Sequence, residues 1–200
     1  MRIYTRKGDD GTTGLLYGGR VPKDSAAPTA YGDVDEAQAV LGLARSEAAR
    51  EGELDKLLVA LEGDLWVLMA ELATDPANRH KLVEGASLVT DSMVTALEQH
   101  IDDLSERFQP PTEFVVPGQT RVGALLDVAR TVVRRAERHA LGVAVEGSHV
   151  VPYLNRLSDL LWTMARWQEG ESLPTKETRT RCSSNSSETY LPKSTSSSKA

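Results

Sequence analysis

A single cysteine, Cys182, occurs in 200 residues. That excludes an internal disulfide framework and a Cys/His metal cluster. An excess of basic charge is missing too. The formal net charge is −6, which argues against a nucleic-acid partner, because phosphate backbones require a basic surface. The opening "MRIYTRKGDD" has no apolar signal core. The longest apolar stretch, "LLVALEGDLWVLMAELA", is broken by Glu62, Gly63 and Asp64, so no membrane span is expected. There is no internal repeat and no convincing strand. What remains is a soluble, cytoplasmic chain with one domain, long enough to bury a full core.

The pattern that is present is helical. Residues 1–30 read as loop, with Gly18, Gly19, Pro22 and Pro28 as breakers. "GDVDEAQAVLGLARSEAAR" then opens a helix with acids in its first turn. In a second helix Leu57, Leu58, Leu61, Leu65, Leu68 and Leu72 recur at spacings of three and four. "DSMVTALEQHIDDLSERF" is a third, capped by Thr90 or Asp91. "TRVGALLDVARTVVRRAERHALG" is a fourth that stops at Gly142. "VVPYLNRLSDLLWTMARWQEG" is a fifth, with Pro152 near its first turn and Gly170 after it. "FVVPG" reads as a packed loop. Long helices joined by modest loops predict an all-α fold, a five-helix bundle, occupying residues 1–173. The serine-rich remainder, 174–200, has too few core formers to fold and is expected to be a disordered tail.

Two segments carry polar chemistry. "YTRKGDDGTTGL", Tyr4 to Leu15, holds three glycines and three threonines and contributes little to a core. Glycine-rich backbone can turn N–H groups inward around an anion, so the segment reads either as a phosphate-wrapping loop or as a flexible leader. Residues 1–23 carry five basic side chains against Asp9 and Asp10. That local imbalance suits a small anionic ligand. Two adjacent aspartates lack a metal ligand set, so loop polarity is their reading.

On the fourth helix, at about 100° per residue, Val122, Leu125, Ala129, Val133, Ala136 and Ala140 form the core stripe. Arg130, Arg134 and Glu137 fall on a second stripe, while Arg135 and Arg138 point elsewhere. This second stripe is either a solvated face with intrahelical ion pairs or a pair of guanidiniums and a carboxylate presented to a pocket. Guanidinium is planar, multidentate and always charged, which suits a triphosphate. "ERHALG" nearly copies the Asp-x-His-x-x-Gly signature of cobalt-ligating histidines. That signature needs a loop after a strand, so His139 is read as an ordinary helix residue.

"YTRKGDDGTTGL", "YGDVDEAQ", "FVVPG", "ARTVVRRAER" and "NRLSD" occur in that order. Together they resemble the ATP:cob(I)alamin adenosyltransferases of the propanediol-utilisation type, over residues 2 to about 170. The resemblance implies a five-helix bundle assembled as a homotrimer with active sites between subunits. It implies that Thr5, Arg6, Lys7, Gly8, Thr13 and Gly14 line ATP and that Lys23 reaches the phosphates. Arg134, Arg135, Glu137 and Arg138 correspond to a second nucleotide-binding segment, and Asn155 to a contact from the fifth helix. Arg130 corresponds to an arginine that pairs with an aspartate of the neighbouring subunit, here Asp35, and Phe114 to a phenylalanine on the corrin side. Lys7 departs from a frequent threonine or serine, and Gln119 from a frequent glycine. The serine-rich tail matches nothing in the family.

The implied reaction is attack of cob(I)alamin on the 5′-carbon of ATP, with triphosphate leaving and Mg²⁺ accompanying the nucleotide. Co(I) is itself a strong nucleophile, which agrees with the lack of an evident Ser/His/Asp triad. A reductase and an adenosylcobalamin-dependent enzyme are the partners such a reaction implies. Two other readings use the same bundle: a non-catalytic ATP sensor, and a cobalamin carrier that would not need the arginine clamp.

Overall fold

The computed structural model describes residues 4–176. Within them the chain forms helices α1 (Ala26–Ser46), α2 (Glu53–Leu72), α3 (Asp91–Ser105), α4 (Arg121–Ala140) and α5 (Val150–Glu169). A 3-10 helix runs Pro76–Lys81. Four short strands accompany them: β1 (Thr12–Gly14), β2 (Arg20–Pro22), β3 (Val115–Val116) and β4 (Leu173–Pro174). The helices make the expected five-helix bundle. Helix α4 packs against both α1 and α5, α2 against α1, and α3 against α5.

Each helix buries the stripe that its spacing dictates. On α1 this is Ala30, Val34, Ala37, Leu41 and Ala44. On α2 it includes Leu54, Leu58, Leu61, Leu65, Leu68 and Leu72, with Leu57 only half-buried. Helix α5 lies between neighbours and buries a broader face, including Tyr153, Leu154, Leu157, Leu160, Leu161 and Met164. Each buried leucine contributes roughly 1.5–3 kcal/mol relative to exposure. Small residues on α1 and α4, such as Ala37, Ala129 and Ala136, are fully buried where the two helices meet.

Several local expectations change. Helix α1 begins at Ala26, six residues before the predicted start, with Ser25 at the cap position. Pro28 is therefore not a breaker. It sits in the first helical turn, where a missing N–H costs nothing. No acid lies in that turn. Asp33 and Glu36 come later and pair with Arg135 of α4, whereas Asp35 is exposed. Thr90, not Asp91, caps α3, accepting from the Met93 amide. Helix α4 ends at Ala140, with Gly142 in the turn beyond. On α4 the buried set is Gly123, Leu126, Ala129, Val132, Val133, Ala136 and Ala140, together with Asp127, whereas Val122 and Leu125 are half-buried.

Strands were not expected at all. The N-terminal loop is a short antiparallel hairpin, pairing Thr12 with Pro22, Thr13 with Val21 and Gly14 with Arg20. It is tied to the end of α2 by the Leu16 amide, which donates to the Ala73 carbonyl at 2.8 Å. "FVVPG" is not merely a packed loop: Val115 and Val116 pair with Pro174 and Leu173. The first residues of the expected tail thus continue the folded part. Thr175 donates its amide (2.8 Å) and its hydroxyl (2.5 Å) to the Phe114 carbonyl, and Lys176 pairs with Glu113 at 2.6 Å. The expectations for the rest of the tail, Cys182 included, lie outside the described residues.

Candidate functional site

The hairpin loop is organised by Arg20. Its Nη2 donates to the Lys7 carbonyl and to Thr12 Oγ1, each at 2.6 Å, and its Nε reaches Thr12 Oγ1 at 3.0 Å. Asp10 closes the ring, accepting the Thr12 amide (2.9 Å) and hydroxyl (2.7 Å). Those two bonds hold the Asp10 carboxyl below its ordinary range. Gly8 leaves little room: a Cβ there would lie 3.1 Å from both Lys23 Nζ and the Thr12 carbonyl. The Lys23 ammonium therefore rests against Gly8. Thr5, Arg6, Lys7, Gly14 and Lys23 are exposed, and Gly8 and Thr13 half-buried. Arg6 takes a left-handed backbone (φ 61°), and its guanidinium lies 5.6 Å from the Tyr4 ring centre. Of the six expected loop residues, Gly8 meets Lys23, the Lys7 amide donates to Thr5 Oγ1 at 3.4 Å, and Thr13 and Gly14 lie in the hairpin. Among the described residues, no hydrogen bond or ion pair joins this loop to α4 or α5.

The α4 stripe divides into separate groups. Glu137 accepts a hydrogen bond from Asn155 of α5 at 3.0 Å, which brings two expected nucleotide contacts together. Arg134 is exposed and is engaged only through its carbonyl, which accepts from Arg138 Nη1 at 2.9 Å. Arg135 is committed elsewhere. It pairs with Asp33 (3.2 Å) and with Glu36 of α1, and Asp33 also contacts His139. Those partners raise the Arg135 pKa, Glu36 foremost. Helix periodicity separated Arg135 from Arg134, and the ion pairs account for where it goes.

Arg130 faces a different space. A cavity of about 830 Å³ opens beside it, lined by Phe114 and Val115 of the β3 loop, Asp127 and Arg130 of α4, and Trp162 and Arg166 of α5. Phe114 stands at 89% exposure on its rim. Within the chain Arg130 donates to Asp127 Oδ1 at 3.1 Å, whereas Asp35, exposed on α1, has no hydrogen-bond or ion-pair partner among the described residues. Trp162, Asp127 and Arg166 escaped the sequence reading. The signal was there, since Asp127 and Arg166 are charges placed on apolar stripes, and such charges are almost never buried unless paired.

The comparisons settle the family. A family model for cobalamin adenosyltransferase matches residues 3–168. The chain belongs to the cobalamin adenosyltransferase family. It is 41% identical to a corrinoid adenosyltransferase of Citrobacter freundii over 171 residues, covering 84% of this chain and 95% of that one. A corrinoid adenosyltransferase of Mycobacterium tuberculosis is 41% identical over 170 residues, covering 82% and 87%. Among solved structures, a phenylalanine-to-histidine variant of the PduO-type ATP:corrinoid adenosyltransferase from Lactobacillus reuteri, complexed with cobalamin and ATP, superposes with a TM-score of 0.78 at 27% identity. It covers 88% of this chain and 97% of that one. An arginine-to-lysine variant complexed with ATP superposes at 0.75 with 26% identity, covering 86% and 99%. This cobalamin adenosyltransferase family member has a polar α4–α5 surface at Glu137 and Asn155 and an aromatic-rimmed cavity at Phe114. Among the described residues, no cluster of His, Cys, Asp or Glu could hold a metal ion. No helix there is long and apolar enough to cross a membrane.

Proposed function

We propose that the chain transfers the 5′-deoxyadenosyl group of ATP to cob(I)alamin, forming adenosylcobalamin and triphosphate, as a cytoplasmic homotrimer with active sites between subunits. The observation that carries this reading is the sharing of α4 between the two surfaces. Arg130 lines the Phe114 cavity, Arg134 lies one helical turn further on, about 6 Å along the axis, and Glu137 about two turns on, roughly 10 Å. One rigid element thereby carries both surfaces, which supports a reaction between the two ligands they would hold.

The chain's own residues bind, orient and exclude water. Arg134 and Lys23 stabilise the triphosphate as its charge develops. The loop from Thr5 to Gly14 closes over the nucleotide, and Asn155 with Glu137 fixes its orientation. Arg138 stands beside Arg134, while Arg135 braces α4 against α1. Mg²⁺ suits the ATP phosphates and water better than any protein ligand set here. It adds positive charge to the leaving group. The face of Phe114 lies under the corrin, where it displaces the lower axial ligand. Loss of that ligand lowers the orbital that accepts the electron and makes Co(II) reducible to Co(I). An aromatic left 89% exposed supports a partner that covers it. Exposed Leu43 on α1 and Val128 on α4 support burial in an assembly. In that assembly the exposed Asp35 meets Arg130 of a neighbouring copy.

Incubation with ATP, Mg²⁺ and chemically reduced cobalamin, followed by absorbance, tests the reading. Appearance of the adenosylcobalamin spectrum is expected. Binding of both ligands without that spectrum would contradict it.

A further inference from the structure

The two charged residues that sequence reading passed over belong to a longer chain of contacts. Arg130 donates to Asp127 Oδ1 at 3.1 Å. Asp127 Oδ2 accepts from Arg166 Nη2 at 2.6 Å. Arg166 Nε lies 2.9 Å from Glu169 Oε2. Glu169 Oε1 accepts the amides of Gly118 (3.4 Å) and Gln119 (3.2 Å). The side chains of Arg166 and Glu169 are 1% and 0% exposed, and the Arg166 guanidinium also lies 5.8 Å from the Trp162 ring centre, within cation–π range. Two cations and two carboxylates balance, so no charge in the series is left without an opposite neighbour.

The ends of the series are what matter. One end is Arg130 at the cavity. The other is the loop that descends from Phe114 through Pro117 into α4. Glu169 is also the last residue of α5, and after Gly170 (φ 69°) the chain turns into β4, which pairs with β3 beside Phe114. Gly123 shows how closely the carboxylate is seated. A Cβ at that position would come within 2.8 Å of Glu169 Cγ and Oε1, so only glycine leaves the first turn of α4 open to it.

We propose that Arg166 and Glu169 are positioning residues for the corrinoid, coupling the height of the Phe114 loop to the orientation of Arg130 through Asp127. This rests on the reading of the cavity as the corrinoid site. The series sets one wall of the cavity against the other, so that Phe114 and Arg130 meet the same face of the ligand together. ATP contacts lie outside it.

Two variants test this. Glu169→Gln removes the charge facing Arg166 but keeps an amide acceptor. Gly123→Ala keeps all four charges and pushes the carboxylate aside, and it carries the test if the first variant folds poorly. For each, apparent KM for ATP and for cobalamin is measured, with thermal melts and the absorbance spectrum of bound cob(II)alamin. A misplacement near 1 Å costs on the order of 10²-fold, so the expected result is a rise of roughly 10- to 10²-fold in cobalamin KM. The ATP KM stays unchanged, and the bound cob(II)alamin spectrum shifts toward the axially ligated form. An unshifted spectrum with unchanged cobalamin KM, or an equal rise in both KM values, overturns the positioning role. If the wild-type chain neither binds cobalamin nor transfers the adenosyl group, the functional reading itself fails.

Discussion

In the proposed reaction, leaving-group stabilisation rests most directly on Arg134. It is exposed and contributes only its carbonyl to the fold, so Arg134→Ala should change stability by less than about 0.5 kcal/mol. Turnover at saturating ATP should fall by roughly 10²–10³, the usual effect of losing one donor to developing charge. Steady-state kinetics with a parallel melt separates the two, and near-wild-type turnover would remove Arg134 from its role. Asp64 makes a different prediction. Tyr153 donates to it at 2.8 Å, yet burial pushes the Asp64 pKa up, with the Tyr153 bond and His100 only partly opposing. A carboxyl with a raised folded pKa costs stability while ionised and regains it as pH falls through that pKa. Asp64→Asn, which keeps an acceptor for Tyr153, should therefore melt higher than wild type at pH 7. The difference should shrink on acidification, and a pH-independent difference would refute the assignment. Residues of this scale were legible where they fell on a polar stripe or within a motif. Glu137 and Asn155 followed from stripe and motif as expected nucleotide contacts, though not as partners of each other. Asp127 and Arg166 did not, because a charge on an apolar stripe acquires meaning only when its partner on another helix is known.

Elements were legible in proportion to their length. A run of 20 residues such as α2 displays five turns of leucine spacing. A strand of two or three residues displays no period at all, which is why β1 to β4 went unseen. Pro28 concealed the start of α1, because proline reads as a breaker unless it is known to lie in a first turn. The pairing of β3 with β4 has a consequence at this scale. Thr175 and Lys176 hold the Phe114 segment by three polar contacts. A chain ending at Lys176 should keep the cobalamin KM of the full chain, whereas one ending at Ser172 should raise it. Titration of the two truncations side by side checks this, and equal values would show that the β3–β4 pairing does not shape the cavity.

At the scale of the whole molecule, no hydrogen bond or ion pair among the described residues joins the loop of residues 4–14 to the arginine stripe of α4. In the proposed trimer a neighbouring copy brings the two together. A double-mutant cycle on Asp35→Ala and Arg130→Ala should give a coupling above about 0.5 kcal/mol in cobalamin binding, whereas additive losses would mean that the two do not meet. The expectation of a trimer rests on resemblance alone, since an interface between copies leaves no period in the sequence beyond apolar residues such as Leu43 and Val128 that a single chain exposes. The central claim is attack at the 5′-carbon of ATP, and the fate of the phosphates tests it most directly. With ATP labelled at the 5′-carbon and on the γ-phosphate, one turnover should place the carbon label in adenosylcobalamin and release the phosphate label as intact triphosphate in a one-to-one ratio. Release of labelled inorganic phosphate with ADP, and no carbon label on the corrinoid, would contradict it.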